Sequence, residues 1–192
     1  MKKNILFLAF VLLLAGSLQA QFELKALVGT NFSSISHPPT GYKFSAKPGY
    51  QFGAGLLIGD KFYVEPGIQF VRNSKTVTTG NTDVKFDQNF VKIPVYAGYH
   101  ILGSEENNLI ALRVFAGPAA YIAGKLKSGD DQITKDDIKN MNWMFDAGLG
   151  LDILFFFVEA NYEVGLNKLF TKDNWDSKHR ALVLNAGIHI DF

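Results

Sequence analysis

From position 21 onward, apolar and polar residues alternate with a period of two, the spacing of strands rather than helices. Phe62, Val64, Pro66, Ile68 and Phe70 fall on one face, and Tyr63, Glu65, Gly67 and Gln69 on the other. The final segment reads the same way. Leu182, Leu184, Ala186, Ile188, Ile190 and Phe192 oppose Val183, Asn185, Gly187, His189 and Asp191. Further segments begin at Phe22, Tyr50, Val91, Ile110, Phe145 and Phe156. The pattern predicts an all-β chain of about eight strands, each near the ten or so residues that cross a bilayer at a tilt. The connections alternate in length. Ser33 to Pro48, Ser74 to Asp87, Lys125 to Asn142 and Thr171 to Ser177 read as long polar loops, whereas Gly59–Asp60, Gly103 to Asn108 and Ile153 to Phe155 are short. Long outer loops and short periplasmic turns are the plan of an up-and-down transmembrane barrel, and an even strand count returns both termini to the periplasm.

Alternation alone also fits a soluble sheet whose apolar face turns inward. A lipocalin-like barrel around an apolar cavity is therefore the competing reading. Two features separate the readings. Aromatic residues on the apolar face sort by depth. Phe22, Phe62, Tyr99, Phe156 and Phe192 fall at one end and Phe32, Tyr50, Phe70, Trp143 and Phe170 at the other, with mostly Ala, Val, Leu and Ile between. Two girdles around an aliphatic band suit lipid. The opposite face carries Glu65, Lys92, Arg113, Asp146, Glu159 and Glu163 among many glycines. These six are expected to form an ion-pair network filling a narrow lumen, because an unpaired buried charge is very costly.

The N-terminus adds the compartment. Lys2 and Lys3 precede an unbroken apolar run from Ile5 to Ala15, followed by the small residues Gly16, Ser17 and Ala20. That layout is a secretory signal peptide over residues 1–20, leaving a barrel domain over 21–192. An N-terminal anchor or buried helix is the alternative reading of the run. Leu18 is larger than ideal before the cut, so cleavage after Ser17 stays open. No later stretch suits a spanning helix, so a membrane-embedded mature chain must cross as strands. With 19 Lys and Arg against 18 Asp and Glu, the charge is near balance, which offers no footprint for nucleic acid. No cysteine is present, excluding disulfides, thiolate metal sites and cysteine nucleophiles.

Several segments carry a family resemblance. They are Lys92-Ile93-Pro94-Val95, Ala116-Gly117-Pro118-Ala119-Ala120-Tyr121, Gly148-Leu149-Gly150-Leu151, Val158-Glu159-Ala160-Asn161-Tyr162 and Gly165-Leu166. In their order and spacing the mature chain resembles the PorT-like outer-membrane β-barrel proteins. The resemblance implies a small barrel in the cell outer membrane. Its family name comes from a secretion-associated barrel, but fold and location carry over, not secretion. The C-terminal residues Asn185, Gly187, Ile190 and Phe192 resemble the signal that outer-membrane proteins offer to the barrel-assembly machinery. An ordinary terminal strand is the other reading.

No catalytic constellation emerges, and no metal or cofactor site. His37 and His179 fall in or near outer loops, and His100 and His189 lie toward the periplasmic end of inward faces, where His100 has an inward acid as a possible partner. None stands at a triad spacing from a nucleophile. The Asp130-Asp131 and Asp136-Asp137 pairs lack calcium-loop spacing. The expectation is a non-enzymatic barrel with a structural or surface-binding role, its outer loops meeting an unknown protein or glycan partner. The third loop, with a helical turn expected over Thr134 to Lys139, is the first place to look. A narrow pore or a secretion-associated barrel is the alternative; eight strands leave no wide channel, and a surplus of inward acids would favour cations.

Leu112, Val114, Leu149, Val158 and Leu184 are expected to face lipid. Val158→Arg should then destabilise the folded barrel by about 2–4 kcal/mol if it lies near the midplane, read from urea unfolding in lipid vesicles. An unchanged unfolding midpoint would mean that this face does not meet hydrocarbon.

Overall fold

The structure is a computed structural model that describes residues 22–36, 42–79, 82–103, 109–128, 141–167 and 178–191. Eight strands follow in order: β1 (Phe22–Ser36), β2 (Tyr42–Gly59), β3 (Phe62–Thr79), β4 (Thr82–Leu102), β5 (Ile110–Ser128), β6 (Met141–Ile153), β7 (Phe156–Gly165) and β8 (Lys178–Asp191). Each pairs antiparallel with the next, and β8 returns to β1, closing an up-and-down barrel. Closure leaves no unpaired sheet edge at membrane depth, the condition under which strands can cross lipid.

The sequence alternation becomes an alternation of exposure. On β6 and β7, Leu149 and Val158 are 56% and 51% exposed, while Asp146 and Arg113 inside the barrel are 0% and 1% exposed. The apolar face is therefore the outer one and the charged face the inner one. This overturns the lipocalin-like alternative, which needs the apolar face inside. Shallow depressions on the outer wall are apolar too, one of them lined by Leu112, Leu151, Ala160 and Leu184.

The outer apolar band is about nine residues deep, near the span of a tilted transmembrane strand. On β4 it runs from Val91 to Tyr99, and on β8 from Leu182 to Ile190. Ionic residues bound it at both ends. Arg180 and the Arg72–Asp87 ion pair (2.8 Å) lie beyond one end. At the other, Lys61 stands over the Tyr99 ring, which itself packs 4.6 Å from Phe62. Phe32, Tyr50 and Trp143 are outward at one girdle, and Phe22, Phe62 and Phe156 at the other. Phe170 and Phe192 lie outside the described residues. Phe52, Phe145 and Tyr162 also point outward just inside the first girdle, so the band is less purely aliphatic than the sequence pattern predicts.

Two of the expected long loops are largely strand. β2, β3, β4 and β5 are 18, 18, 21 and 19 residues long, against ten for β7. Ser74 pairs with Asp87 and Thr79 with Thr82, so the segment read as a loop over Ser74 to Asp87 is a paired hairpin. Tyr42 to Lys47, read as part of the first loop, pairs with Ser74 to Thr79. Ser33–Ser36 continues β1 in the same way. Beyond lipid the apolar alternation is no longer needed and vanishes from the sequence, but the Thr- and Val-rich stretches keep their strand propensity. Register shifts at Lys47/Tyr50 and Gln88/Phe90 mark where the extension leaves the barrel proper. The helical turn expected over Thr134 to Lys139 lies outside the described residues. At the opposite end the turns are tight. Gly59 (φ 126°) enters Asp60–Lys61, and Leu154 (φ 56°) sits in the Leu154–Phe155 turn.

Inside so narrow a barrel, glycine makes room for its neighbours. A Cβ on Gly98 would collide with the ring of Tyr63, its cross-strand partner. Gly98→Val should destabilise by about 1–3 kcal/mol through overpacking. Adding Tyr63→Ala should recover part of that loss in a double-mutant cycle of unfolding free energies; strictly additive losses would show that the two positions do not compete for space.

Candidate functional site

The barrel interior concentrates the chemistry. Among the described residues, three bases and five acids are buried on the inward face: Lys25, Lys92 and Arg113 with Glu65, Asp146, Asp152, Glu159 and Glu163. They form two clusters. Toward the tight-turn end, Lys25 Nζ lies 2.9 Å from Glu65 Oε1 and 2.5 Å from Glu159 Oε1. Arg113 crosses the lumen beside them, with Nη2 at 2.7 Å from Glu159, Nε at 2.9 Å from Asp152 and Nη1 at 3.6 Å from Glu65. Gly150, opposite Arg113 in register, leaves the space where the guanidinium stem lies; a Cβ there would come within 2.9 Å of Nε. Nearer the middle, Lys92 Nζ lies 2.7 Å from Asp146 Oδ2 and 2.6 Å from Glu163 Oε1. Tyr96 donates its hydroxyl to Asp146 (2.6 Å) and Tyr121 to Glu163 (2.6 Å).

The logic is one of mutual neutralisation. Buried carboxylates without counter-charges would lose their hydration with nothing in return. Each cluster has one more acid than base, and tyrosine hydroxyls supply donors to the surplus in the second. Neutral amides adjoin the charges, with Asn185 in register with Glu159 and Gln69 with Lys92. Gln51 donates to Gln69 (3.3 Å) and Asn185 (2.9 Å), and Asn31 reaches across Gly49 to the Arg72 carbonyl (3.2 Å). Two apolar groups fill the rest. Val71, Phe90, Ala119, Tyr121 and Met144 pack inside the end from which the long strands extend. Leu57, Tyr63, Tyr96 and Phe115 pack toward the other end.

The structure brings together all six of the charged residues singled out from the sequence, in these two clusters. Lys25 and Asp152 belong with them and were not singled out, although the alternation already puts both on the inward face. Tyr96, Tyr121 and Tyr63, whose hydroxyl accepts from Arg113 Nη1 (3.5 Å), were missed because an aromatic residue on a polar face signals neither core nor network. The C-terminal residues divide. Asn185 is buried and accepts from Gln51, Gly187 lies against the Phe157 ring, and Ile190 is outward, while Phe192 is outside the described residues. The histidines are corrected in part. His179 is the second residue of β8, near the segment read as the last loop, and is buried with its ring 6.0 Å from Tyr121. The Nδ1 of His100 lies 2.8 Å from the Asp60 carbonyl, a main-chain partner rather than the expected acid. His189 has the carboxylate, with Nδ1 at 2.6 Å from Glu23. His37 and both Asp pairs of the third loop lie outside the described residues.

Removing one member of a buried ion cluster strands the others. Lys92→Met should cost about 3–5 kcal/mol of unfolding free energy, because Asp146 and Glu163 lose their cation together. The triple variant Lys92→Met, Asp146→Asn, Glu163→Gln should be more stable than the single one. The reverse order would show that the lysine is not what balances the two acids.

Solved structures with similar folds are small outer-membrane barrels. OprG from Pseudomonas aeruginosa superposes with a TM-score of 0.62 at 14% identity, covering 90% of this chain and 96% of that one. Neisserial surface protein A (NspA) gives 0.51 at 12% identity, covering 87% and 96%. Ail, the attachment invasion locus protein of Yersinia pestis, solved with the heparin analogue sucrose octasulfate, gives 0.50 at 15% identity, covering 88% and 99%. No curated protein matches the sequence. Residues 18–171 match the family described as the outer membrane protein beta-barrel domain, and the chain, an eight-stranded barrel of the outer membrane, belongs to that family.

Proposed function

We propose that the protein is a closed, non-enzymatic barrel that holds extended hairpins at the cell surface, where they bind a protein or a glycan. The supporting observation is the contrast between the two halves of the molecule. The membrane-embedded lumen is filled by paired charges and two apolar groups. The β2–β5 sheet, in contrast, runs on well past the apolar band. A solid scaffold carrying projecting strands suits recognition better than transport. The sulfated sugar analogue on Ail is in keeping with a binding role for a barrel of this size. In this reading residues 1–20 are a cleaved export signal, both termini are periplasmic, the long strand ends face outward, and Asn185, Gly187, Ile190 and Phe192 engage the barrel-assembly machinery.

Two measurements test the reading. In planar bilayers the purified protein should give no steady conductance; a stable open level would favour the pore alternative, and the surplus of lumenal acids predicts that such a level would be cation-selective. Replacing residues 74–87 with an Asn-Gly turn should leave a barrel whose gel mobility still shifts on boiling. The same replacement should abolish the binding that the intact protein in nanodiscs shows on glycan and surface-protein arrays. Binding that survives would place recognition elsewhere.

A further inference from the structure

Toward the long strand ends the inward face changes character in the same order on several strands. Going outward, Val71 is followed by Asn73 on β3, Phe90 by Gln88 on β4, Met144 by Asn142 on β6 and Ala181 by His179 on β8, all of them buried. An apolar layer thus separates Lys92, Asp146 and Glu163 from a second polar layer, which holds no Asp, Glu, Lys or Arg among the described residues. Ser33 of β1, the next inward residue after Asn31, belongs to it. The members are neighbours. Asn73 and Gln88 pair in register, and Asn31 ties β1 to β3 through the Arg72 carbonyl (3.2 Å). Beneath them the Tyr121 ring lies 5.5 Å from Phe90 and 6.0 Å from His179. Asn142 accepts from Asn167 (3.5 Å), and His179 has its contact with Tyr121. By contrast, Ser33 Oγ, Asn73 Nδ2 and Gln88 Nε2 have no hydrogen-bond partner among the described residues, although their residues are only 0%, 3% and 2% exposed.

We propose that this layer is a binding site for the uncharged end unit of a glycan, seated over the Phe90, Tyr121 and His179 rings at the outer mouth of the lumen. Such a site deepens the surface-binding function proposed for the protein and rests on it. A buried polar group left without a partner is costly, and a sugar hydroxyl answers an amide N–H and a serine hydroxyl alike, because it both donates and accepts. A few convergent polar groups over an aromatic floor are the usual make-up of a small-molecule site. The Tyr121 hydroxyl is committed to Glu163, which leaves its ring for contact. A layer without formal charge selects against acidic and amino sugars, which would surrender their hydration with no counter-charge beside them. Depth agrees with this use. Arg72 and Arg180, which bound the apolar band, are the outward neighbours of Asn73 and His179. At this level β1, β6, β7 and β8 reach their ends at Ser36, Met141, Gly165 and Lys178, while β2–β5 continue. A glycan seated on the layer therefore has the projecting sheet at its back.

The test uses the refolded full barrel in nanodiscs and saturation-transfer NMR. The probes are glucose, galactose, mannose, N-acetylglucosamine and their trisaccharides, with glucuronate and glucosamine as charged counterparts. At least one neutral sugar should receive saturation, and the charged ones should receive far less. Asn73→Leu with Gln88→Met keeps the side-chain volumes and removes both unpartnered donors. The pair should weaken sugar binding by about 25-fold, about five-fold for each hydrogen bond lost. It should also raise the urea midpoint of the sugar-free barrel, because it removes buried amides that lack partners. A midpoint that does not rise would overturn the proposal, by showing that the two amides are satisfied where they stand. Binding that survives the double variant would overturn it as well, as would equal saturation of charged and neutral sugars. No saturation of any sugar would show a layer that holds water only. Boiled and unboiled gels confirm that the variants are folded. An intact barrel that captures a surface protein but no sugar would end this proposal and leave recognition by the hairpins standing.

Discussion

A barrel of eight strands encloses too little space for bulk water, so every charge it swallows must be answered by another side chain. That requirement organises this molecule. Lys25 is held by Glu65 and Glu159, Arg113 by Glu159 and Asp152, and Lys92 by Asp146 and Glu163. Apart from Arg113–Asp152 on the neighbouring strands β5 and β6, the pairs join strands that are not neighbours: β1 to β3 and β7, β5 to β7, β4 to β6 and β7. The lumen therefore ties the barrel across its width as the backbone ladder ties it around its circumference. In lipid the apolar face gains little by turning inward, so specificity for one register falls to these interior contacts.

Function follows from the same filling. Charges that are fully committed to one another are poor candidates for moving ions or protons through the barrel, and the two apolar groups occupy the space that remains. What the molecule can offer to a partner lies outside the membrane. There the β2–β5 sheet continues beyond the band, with bulges at its base.

The period-two pattern made the fold legible because lipid on one side and packed charges on the other enforce a strict alternation. Glu65, Lys92, Arg113, Asp146, Glu159 and Glu163 were readable as inward for that reason. Their partnerships were not, since which acid meets Lys92 depends on the stagger of strands across the barrel. Tyr63, Tyr96 and Tyr121 escaped notice because aromatic rings read as apolar although their hydroxyls serve the network. The hairpin extensions escaped notice too. Outside lipid, Thr76, Thr78 and Thr82 need not alternate with apolar residues, so strand and polar loop look alike there. The family was visible as a resemblance in Lys92-Ile93-Pro94-Val95 and its companions, whereas no residue announced a ligand.

The central claim is a dry, charge-filled interior inside a lipid-facing wall, and the absence of native cysteine makes it directly measurable. Single cysteines would be placed at Val183 on the inner face, Leu149 on the wall and Ser74 on the extension, and the refolded barrels in vesicles treated with water-soluble and lipid-soluble maleimides. The account predicts that Ser74→Cys reacts with the water-soluble reagent, Leu149→Cys only with the lipid-soluble one, and Val183→Cys with neither until the barrel is unfolded. Rapid labelling of Val183→Cys by the water-soluble reagent would contradict it, since that would require a hydrated channel where the structure has a packed core.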